Sequence, residues 1–197
     1  MNKPVVEFIF DFASPNAYMA LKVLPKIASQ NGAEIKLFPC LLGGIFKLTG
    51  NQAPRNAFAA RKRKLEYERL EMQRFIELHK LQAFRMNPHF PINTLGLMRG
   101  MVAAQHMGVA NEYLDIVLGG MWEAGEKMDD PAVFLACLNK GGLDGQRLIE
   151  LANSPDVKAE LVANTDAAAT RGVFGIPTFF VGDEMFFGKE RLAQLAA

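Results

Sequence analysis

Residues 5–16 read VVEFIFDFASPN, and this stretch decides the fold. Its first eight residues are mostly β-branched and aromatic, which predicts a buried strand. Ser14 and Pro15 then mark a helix start, because serine is a favoured N-cap and proline a favoured first helical residue. The helix is expected to end at Asn31-Gly32, since both residue types tolerate the left-handed conformation that terminates helices.

The segments at the two ends of the chain predict one mixed sheet. Residues 34–38 alternate in polarity and indicate a second strand, which completes a strand-helix-strand unit with parallel strands. Near the C-terminus, residues 178–181 predict a strand, Gly182-Asp183 a tight turn and residues 185–187 the partner strand. A short helix at about 189–196 follows Gly188.

The middle of the chain is expected to be helical. Glycines, Asn51 and Pro54 predict a loop from Gly43 to Pro54, and two prolines make residues 87–91 (NPHFP) irregular. Helical patterns cover residues 56–82, 93–107, 110–125, 131–139, 144–152 and 155–172. This order predicts a thioredoxin-like α/β domain, residues 1–45 and 170–197, into which an all-helical domain, residues 46–169, is inserted.

Composition excludes several functional classes. The 197 residues are 50% hydrophobic and 22% charged, with a net charge of +1, which fits neither a disordered chain nor a nucleic-acid binder that works through bulk charge. Cys40 and Cys137 form neither a CxxC pair nor a metal cluster, so no oxidising compartment is implied. No signal peptide or membrane span is visible, and a cytoplasmic location is expected.

The first candidate site is the turn that precedes the first helix. Ligands of α/β proteins bind where strands end and helices begin, and a helix N-terminus favours negative charge. Thioredoxin-like oxidoreductases place a CxxC motif at this turn, whereas residues 14–17 here read SPNA. Disulfide exchange from this turn is therefore impossible, but the Ser14 hydroxyl can donate a hydrogen bond to a thiolate that another molecule supplies. Alternatively, Ser14 only caps the helix.

Two further candidates lie near the C-terminus. A proline directly before a strand suggests a cis Ile176-Pro177 peptide, which would expose the N–H and C=O of Ile176 to an added extended peptide. The alternative is a trans proline that opens an edge strand. At residues 187–191 (FGKER), backbone N–H groups can hold a carboxylate and Glu190 an amino group, unless Glu190 merely complements the helix dipole.

The charged and histidine-bearing segments carry weaker signals. Residues 61–68 form a charge run that is typical of a solvated helix face, although one lysine from it can bind an anionic substrate. His79, His89 and His106 do not form a metal-binding pattern. His89 differs from the other two because its proline-rich loop can face a cleft.

Together these features resemble the 2-hydroxychromene-2-carboxylate isomerase family, which is related to kappa-class glutathione transferases and more distantly to DsbA-type oxidoreductases. The most specific stretches are FDFASP at residues 10–15 and GVFGIPTFFV at residues 172–181. Shorter similarities are Gly50-Asn51, the Lys64/Tyr67/Glu71 spacing and the NPHFP segment.

The resemblance implies glutathione as cofactor and a homodimer as assembly. Ser14 is the implied catalytic residue, facing the glutathione sulfur, and Ile176, before a cis Pro177, pairs with the cysteinyl unit. The residues implied to bind the γ-glutamyl end are Phe187, Gly188, Lys189 and Glu190. Those implied to line the aromatic-substrate pocket are Lys47, Asn51, Asn56, Lys64, Asn87 and His89.

The implied activity is the conversion of 2-hydroxychromene-2-carboxylate, or a related aromatic acid, to trans-o-hydroxybenzylidenepyruvate. Two alternatives stay open: a kappa-type transferase or peroxidase that consumes glutathione, and a non-enzymatic thioredoxin-like binding module. The chain departs from the family at Asn16, where an aromatic residue is usual, at Glu71, where aspartate is common, and in a longer segment between Pro54 and Lys64. These departures bear on the natural substrate more than on glutathione.

Overall fold

The computed structural model describes residues 3–196, which contain a four-stranded sheet in the order β2-β1-β3-β4. The strands are β1 (Val5–Phe10), β2 (Glu34–Pro39), β3 (Thr178–Val181) and β4 (Glu184–Phe187). β1 is parallel to β2 and antiparallel to β3, which in turn is antiparallel to β4. The predicted strand-helix-strand unit and C-terminal hairpin are confirmed, and β1 joins them at the centre of the sheet.

Helices fill the chain between these strands. Their bounds are α1 (Pro15–Gln30), α2 (Leu42–Thr49), α3 (Pro54–Ala57), α4 (Lys62–His79), α5 (Leu95–His106), α6 (Ala110–Gly119), α7 (Pro131–Lys140), α8 (Gly145–Ala152) and α9 (Pro155–Thr170). A π-helical turn, Gly120–Ala124, follows α6, and 3-10 turns cover Lys189–Arg191 and Gln194–Ala196. Among residues 3–196, no helix is long and apolar enough to span a membrane.

The sheet is covered on both faces, which explains the apolar character of β1. Phe8 and Phe10 project into the larger core cluster with α1 and much of the helical segment, and the Phe8 ring stacks on Phe179 at 5.1 Å. Ile9 points to the opposite face, where it packs with Ile45 of α2 and other buried residues. Neighbouring strand residues point to opposite faces, so a strand buried on both sides becomes apolar throughout.

The loop predicted for residues 43–54 is wrong over most of its length, because α2 occupies Leu42–Thr49. A Cβ at Gly44 would lie 2.8 Å from Cγ2 of Thr165, so glycine allows α2 to pack closely on α9. Gly50, with a φ of 66°, adopts the left-handed conformation at the end of α2. The glycines therefore serve helix packing and helix termination.

The single helix predicted for residues 56–82 is divided in the structure. The short α3 ends at Ala57, and α4 begins at Lys62. The ammonium of Lys64 lies 3.5 Å from the centre of the Phe58 ring, a cation–π contact that packs the start of α4 against the turn before it. The proposed domain boundaries, residues 1–45 and 170–197 against 46–169, remain a prediction.

Candidate active site

The start of α1 combines a serine cap with a free helix terminus. Ser14 is the N-cap, and its Oγ accepts a hydrogen bond from the Ala17 N–H at 3.2 Å. Pro15 provides no N–H, and the first turn contains no acidic side chain. Ser14 is nevertheless only 5% exposed, which indicates that its hydroxyl faces other parts of the protein as well as the helix.

The Ser14 hydroxyl also joins α1 to the segment before β3. Its Oγ donates a hydrogen bond to the Ile176 carbonyl at 3.2 Å, across 162 residues of sequence. The Ile176-Pro177 peptide is cis, as predicted. Ile176 is buried, and its carbonyl already accepts the Ser14 hydroxyl, so the pairing of the Ile176 backbone with an added peptide remains a prediction. Ser14 thus does more than cap its helix.

The turn after β4 is hydrogen-bonded to the same cis-proline segment. Gly188 has a φ of 94° and donates its N–H to the Pro177 carbonyl at 2.9 Å. Lys189, only 4% exposed, forms an ion pair with Glu190 and lies 5.3 Å from the centre of the Phe75 ring in α4. A buried ammonium requires such partners, because desolvation of a lone charge is costly. The Glu190 carboxylate at this turn is therefore already paired.

The buried carboxyl group of Asp11 forms hydrogen bonds that hold the turn before α1 in place. Oδ1 accepts hydrogen bonds from the Ala13 N–H at 2.9 Å and the Thr94 hydroxyl at 2.7 Å, and Oδ2 accepts one from the Leu42 N–H at 2.7 Å. Burial raises the pKa of Asp11, against the lowering effect of these hydrogen bonds. Asp11 therefore ties the Ser14 turn to the starts of α2 and α5, and sequence reasoning missed this role. The available signal was an acidic residue directly after a buried apolar strand.

Asn51 is the substrate-pocket candidate that the structure connects to these segments. Its Nδ2 donates a hydrogen bond to the Phe174 carbonyl at 2.7 Å, two residues before Ile176. The Phe174 ring packs on Phe187 at 4.6 Å, so the loop after α2, the segment before β3 and the end of β4 meet. Phe174 was not among the predicted site residues.

The remaining substrate candidates are not connected to the Ser14 turn by any hydrogen bond in the described part of the chain. Lys47, Asn56, Lys64 and His89 are exposed. Asn87 is buried, and its amide donates to the carbonyls of Met121 and Glu126 at 2.8 and 2.9 Å. Both amide N–H groups of Asn87 are thus engaged within the protein, and its contact with a substrate remains a prediction.

Neither cysteine lies at the Ser14 turn. Cys40 is fully buried, and desolvation raises its thiol pKa well above the usual range. Cys137 is half-buried, and burial raises its thiol pKa as well. Both thiols are unpaired within the chain and favour the protonated form. A thiolate at the Ser14 turn must therefore come from a bound molecule.

Comparison with known proteins identifies the family. Residues 5–197 match the family model described as a DSBA-like thioredoxin domain. The 2-hydroxychromene-2-carboxylate isomerase of Pseudomonas sp. (strain C18) is 30% identical over 97% of this chain and 88% of its own length. Glutathione S-transferase kappa 1 of Homo sapiens is 27% identical over 97% of this chain and 88% of its own length.

A solved structure extends the similarity to three dimensions. It is that of a 2-hydroxychromene-2-carboxylate isomerase, with a TM-score of 0.80, 30% identity and coverage of 97% of this chain and 92% of that one. The predicted thioredoxin-like fold with a helical insertion is thereby confirmed. The chain belongs to the DSBA-like thioredoxin domain family and, within it, to the 2-hydroxychromene-2-carboxylate isomerase family.

Proposed function

We propose that this protein is a glutathione-dependent isomerase that converts 2-hydroxychromene-2-carboxylate, or a related aromatic acid, to trans-o-hydroxybenzylidenepyruvate in aromatic catabolism. The observation that carries the proposal is the buried Ser14 hydroxyl, 3.2 Å from the carbonyl that precedes cis Pro177. This serine occupies the turn where thioredoxin-like oxidoreductases place their cysteines. The isomerase relatives, about 30% identical over nearly the whole chain, support the same reaction.

The residues around Ser14 fit glutathione. The first turn of α1 has no carboxylate, so its partial positive charge remains available to a sulfur anion. The backbone of Ile176 would pair with the cysteinyl unit of glutathione, and Pro177 would fix the orientation of that backbone. The turn that would hold the γ-glutamyl end consists of Phe187, Gly188, Lys189 and Glu190.

When bound there, glutathione would supply a thiolate nucleophile for reversible addition to the conjugated double bond of the ring-opened substrate, which permits rotation about that bond. Ser14 stabilises the sulfur anion by redirecting its hydroxyl from the Ile176 carbonyl to the sulfur. The helix dipole of α1 acts in the same sense. Asp11 holds the turn in place through the Ala13 N–H.

The substrate carboxylate requires a cation, and two exposed lysines are proposed for it. Lys47 lies in the last turn of α2, just before Asn51, and Lys64 lies in the first turn of α4. Asn56, Asn87 and His89 complete the proposed pocket. An ammonium group pairs with a carboxylate as a compact point charge, which suits binding at an open, solvated rim.

A kappa-type glutathione transferase is the second candidate, favoured by the 27% identity to the human kappa enzyme. The two reactions differ in the fate of glutathione. The isomerase returns it unchanged, whereas the transferase leaves a stable conjugate. Mass spectrometry of a completed reaction with 2-hydroxychromene-2-carboxylate separates the two, because only the transferase depletes free glutathione.

Replacement of Ser14 tests the catalytic assignment. Ser14→Ala is expected to lower kcat by about 10²- to 10³-fold with 2-hydroxychromene-2-carboxylate, the cost of removing one hydrogen-bond donor to a developing anion. The affinity for glutathione, measured by calorimetry, should change much less. The pKa of the bound thiol, followed by its ultraviolet absorbance, should rise.

The chain offers a matched control in Ser154. Ser154-Pro155 begins the 16-residue α9 as Ser14-Pro15 begins the 16-residue α1, and the Ser154 Oγ accepts from the Val157 N–H at 3.4 Å. Ser154→Ala should lose about 1 kcal/mol of stability as a lost N-cap does, with kcat unchanged. Equal kcat values for Ser14→Ala and Ser154→Ala would refute the role of Ser14.

We further propose that the enzyme works as a homodimer in the cytoplasm. Reduced glutathione is required for the reaction, and the two unpaired cysteines fit a reducing compartment. The exposed apolar side chains of α4, Tyr67, Leu70 and Leu78, offer surface for association. Light scattering on the purified protein tests the dimer, and a monomer at all concentrations would exclude it.

A further inference from the structure

The π-helical turn after α6 contacts the chain on both sides of Ser14. The indole N–H of Trp122 donates a hydrogen bond to the Phe12 carbonyl at 3.0 Å, two residues before Ser14. The carboxylate of Glu123 accepts a hydrogen bond from the Tyr18 hydroxyl at 2.9 Å, four residues after Ser14. Two adjacent residues of the helical segment therefore hold the backbone before the serine and the first turn of α1 after it.

The hydrogen bond from Trp122 has no substitute within residues 3–196. Phe12 and Trp122 are both 0% exposed, and no other donor of the described residues reaches the Phe12 carbonyl. A buried carbonyl that loses its only donor is costly, because neither water nor protein then replaces the hydrogen bond. The place of Phe12 relative to the helical segment thus depends on this one indole.

The indole is itself held by its ring and by its backbone. The ring of Trp122 packs against that of Phe84, at 6.0 Å between centroids, and against that of Phe90, at 5.9 Å. The backbone carbonyl of Trp122 accepts a hydrogen bond from the Arg85 N–H at 2.6 Å. The segment between α4 and α5 therefore fixes the direction in which the indole N–H points.

A serine cap does not in general need such a contact. Ser154 begins α9 as Ser14 begins α1, and its Oγ likewise accepts an N–H of its helix, that of Val157. In the described part of the chain, no side chain donates to the carbonyl of Ala152, which lies two residues before Ser154. Helix capping alone thus does not account for the hydrogen bond between Trp122 and the residue two before Ser14.

We propose that Trp122 is a positioning residue for the glutathione-dependent reaction: by holding the Phe12 carbonyl, it keeps the Ser14 hydroxyl where it can reach the sulfur. The inference rests on the proposed function, since it requires a thiolate next to Ser14. Trp122 is fully buried and acts only through this turn. A displacement of about 1 Å at a reacting group can lower a rate by about 10²-fold, so one hydrogen bond that fixes the turn matters for turnover.

Removal of the indole N–H tests the proposal. Trp122 is the only tryptophan, so its benzothiophene isostere, with sulfur in place of the N–H, can be introduced at this single position, beside the ordinary variant Trp122→Phe. In both proteins kcat with 2-hydroxychromene-2-carboxylate should fall about 10- to 10²-fold, with a much smaller change in KM. The pKa of the bound glutathione thiol should rise. Because the isostere keeps the packing of the ring, the test stands even if Trp122→Phe does not fold.

Tyr113→Phe is the matched control. The Tyr113 hydroxyl also donates to a buried backbone carbonyl in the same core cluster, that of Leu97 at 2.7 Å, but this carbonyl belongs to α5. Its loss should leave kcat and the thiol pKa unchanged. In a Ser14→Ala background, Trp122→Phe should change kcat by no more than about twofold, because a residue that acts through Ser14 has no separate effect once Ser14 is gone.

Three results would overturn the role of Trp122: an unchanged kcat in the isostere, an unchanged thiol pKa, or a full loss of kcat on top of Ser14→Ala. Failure of the proposed function is a separate outcome, seen as no glutathione-dependent turnover by the unaltered protein. Hydrogen exchange of the Ala17 N–H, which caps on Ser14, then decides whether Trp122 holds the turn. The isostere should exchange this hydrogen several-fold faster than Tyr113→Phe does, and equal rates would refute the contact's effect.

Discussion

The Ser14 hydroxyl has two partners, and only one of them uses its proton. It accepts from the Ala17 N–H through a lone pair and donates to the Ile176 carbonyl. The cap can therefore persist while the proton changes partner. In the proposed reaction, this lets Ser14 stabilise a thiolate without breaking the start of α1.

Asp11 is a second residue whose role depends on its surroundings. It is 1% exposed and accepts hydrogen bonds from three donors that belong to three segments of the chain. The cost of burying its charge is offset only while all three hydrogen bonds are made. The network also holds Ala13, the residue next to Ser14.

Removal of the Asp11 carboxyl should destabilise the fold. Asp11→Ala leaves the N–H groups of Ala13 and Leu42 and the Thr94 hydroxyl unsatisfied, and we expect the free energy of unfolding to fall by about 2–4 kcal/mol. Thr94→Val removes only one of the three hydrogen bonds and should cost about 1 kcal/mol. Urea unfolding at pH 7 measures both. If Asp11→Ala were no less stable than Thr94→Val, the network would not be the cause.

At the scale of elements, β1 is tied to its neighbours by charge as well as by hydrogen bonds. Glu7 lies 2.9 Å from Lys36 of β2 and 2.7 Å from Arg171, the residue after α9. The hydrogen bond from Lys36 is the main cause that lowers the pKa of Glu7 below its ordinary value of 4.5. The hydrogen bond from Arg171 lowers this pKa further. One carboxylate thus links the centre of the sheet to a helix end.

The lowered pKa of Glu7 gives a pH-dependent prediction. A carboxyl group whose pKa is lower in the folded than in the unfolded state stabilises the fold at pH values above its unfolded-state pKa. This contribution is lost as the pH falls through its folded-state pKa. Glu7→Gln should therefore lower the free energy of unfolding by about 0.5–1 kcal/mol at pH 7, because the partners are partly exposed. The difference from the unaltered protein should shrink below pH 4.5.

Urea unfolding at pH 7 and at pH 3 measures this effect. Glu34→Gln, at an exposed site on β2, is the control and should change the stability little at either pH. A Glu7→Gln difference that stays constant between the two pH values would contradict the ion pairs.

At the scale of the whole molecule, the helical segment and the sheet share one core. The larger cluster contains Phe8 and Phe10 of β1 together with Met101 of α5 and Trp122. The Trp122 indole N–H donates a hydrogen bond to the carbonyl of Phe12 at 3.0 Å, and Phe12 lies two positions before Ser14. Contacts of this kind make separate unfolding of the two parts unfavourable.

The shared core predicts a single unfolding transition. Trp122 is the only tryptophan, so its fluorescence reports on the helical segment and on its contact with the β1–α1 turn. Fluorescence and far-ultraviolet circular dichroism should give the same urea midpoint within error, as expected for a two-state domain. Separate midpoints would show that the helical segment unfolds by itself.

Much of the fold was accessible from sequence, because its signals are local. The apolar run of β1, the Ser14-Pro15 start of α1 and the turn at Gly182 depend on a few adjacent residues, and all three were predicted at or near their observed positions. The cis Ile176-Pro177 peptide was also predicted correctly. The substrate-binding roles proposed for five residues remain predictions, because no hydrogen bond of the described residues connects them to Ser14. These residues are Lys47, Asn56, Lys64, Asn87 and His89.

By itself, the sequence determined that the turn before α1 carries a hydroxyl in place of a thiol, and that an α/β unit surrounds a helical segment. Only the tertiary structure decided which groups this hydroxyl meets, since Ile176 is 162 residues away. It also decided that Gly44 belongs to a helix, because the neighbour that requires glycine there, Thr165, lies on α9. Backbone preferences are set by adjacent residues, whereas hydrogen-bond partners and close packing are set by residues that only folding brings together.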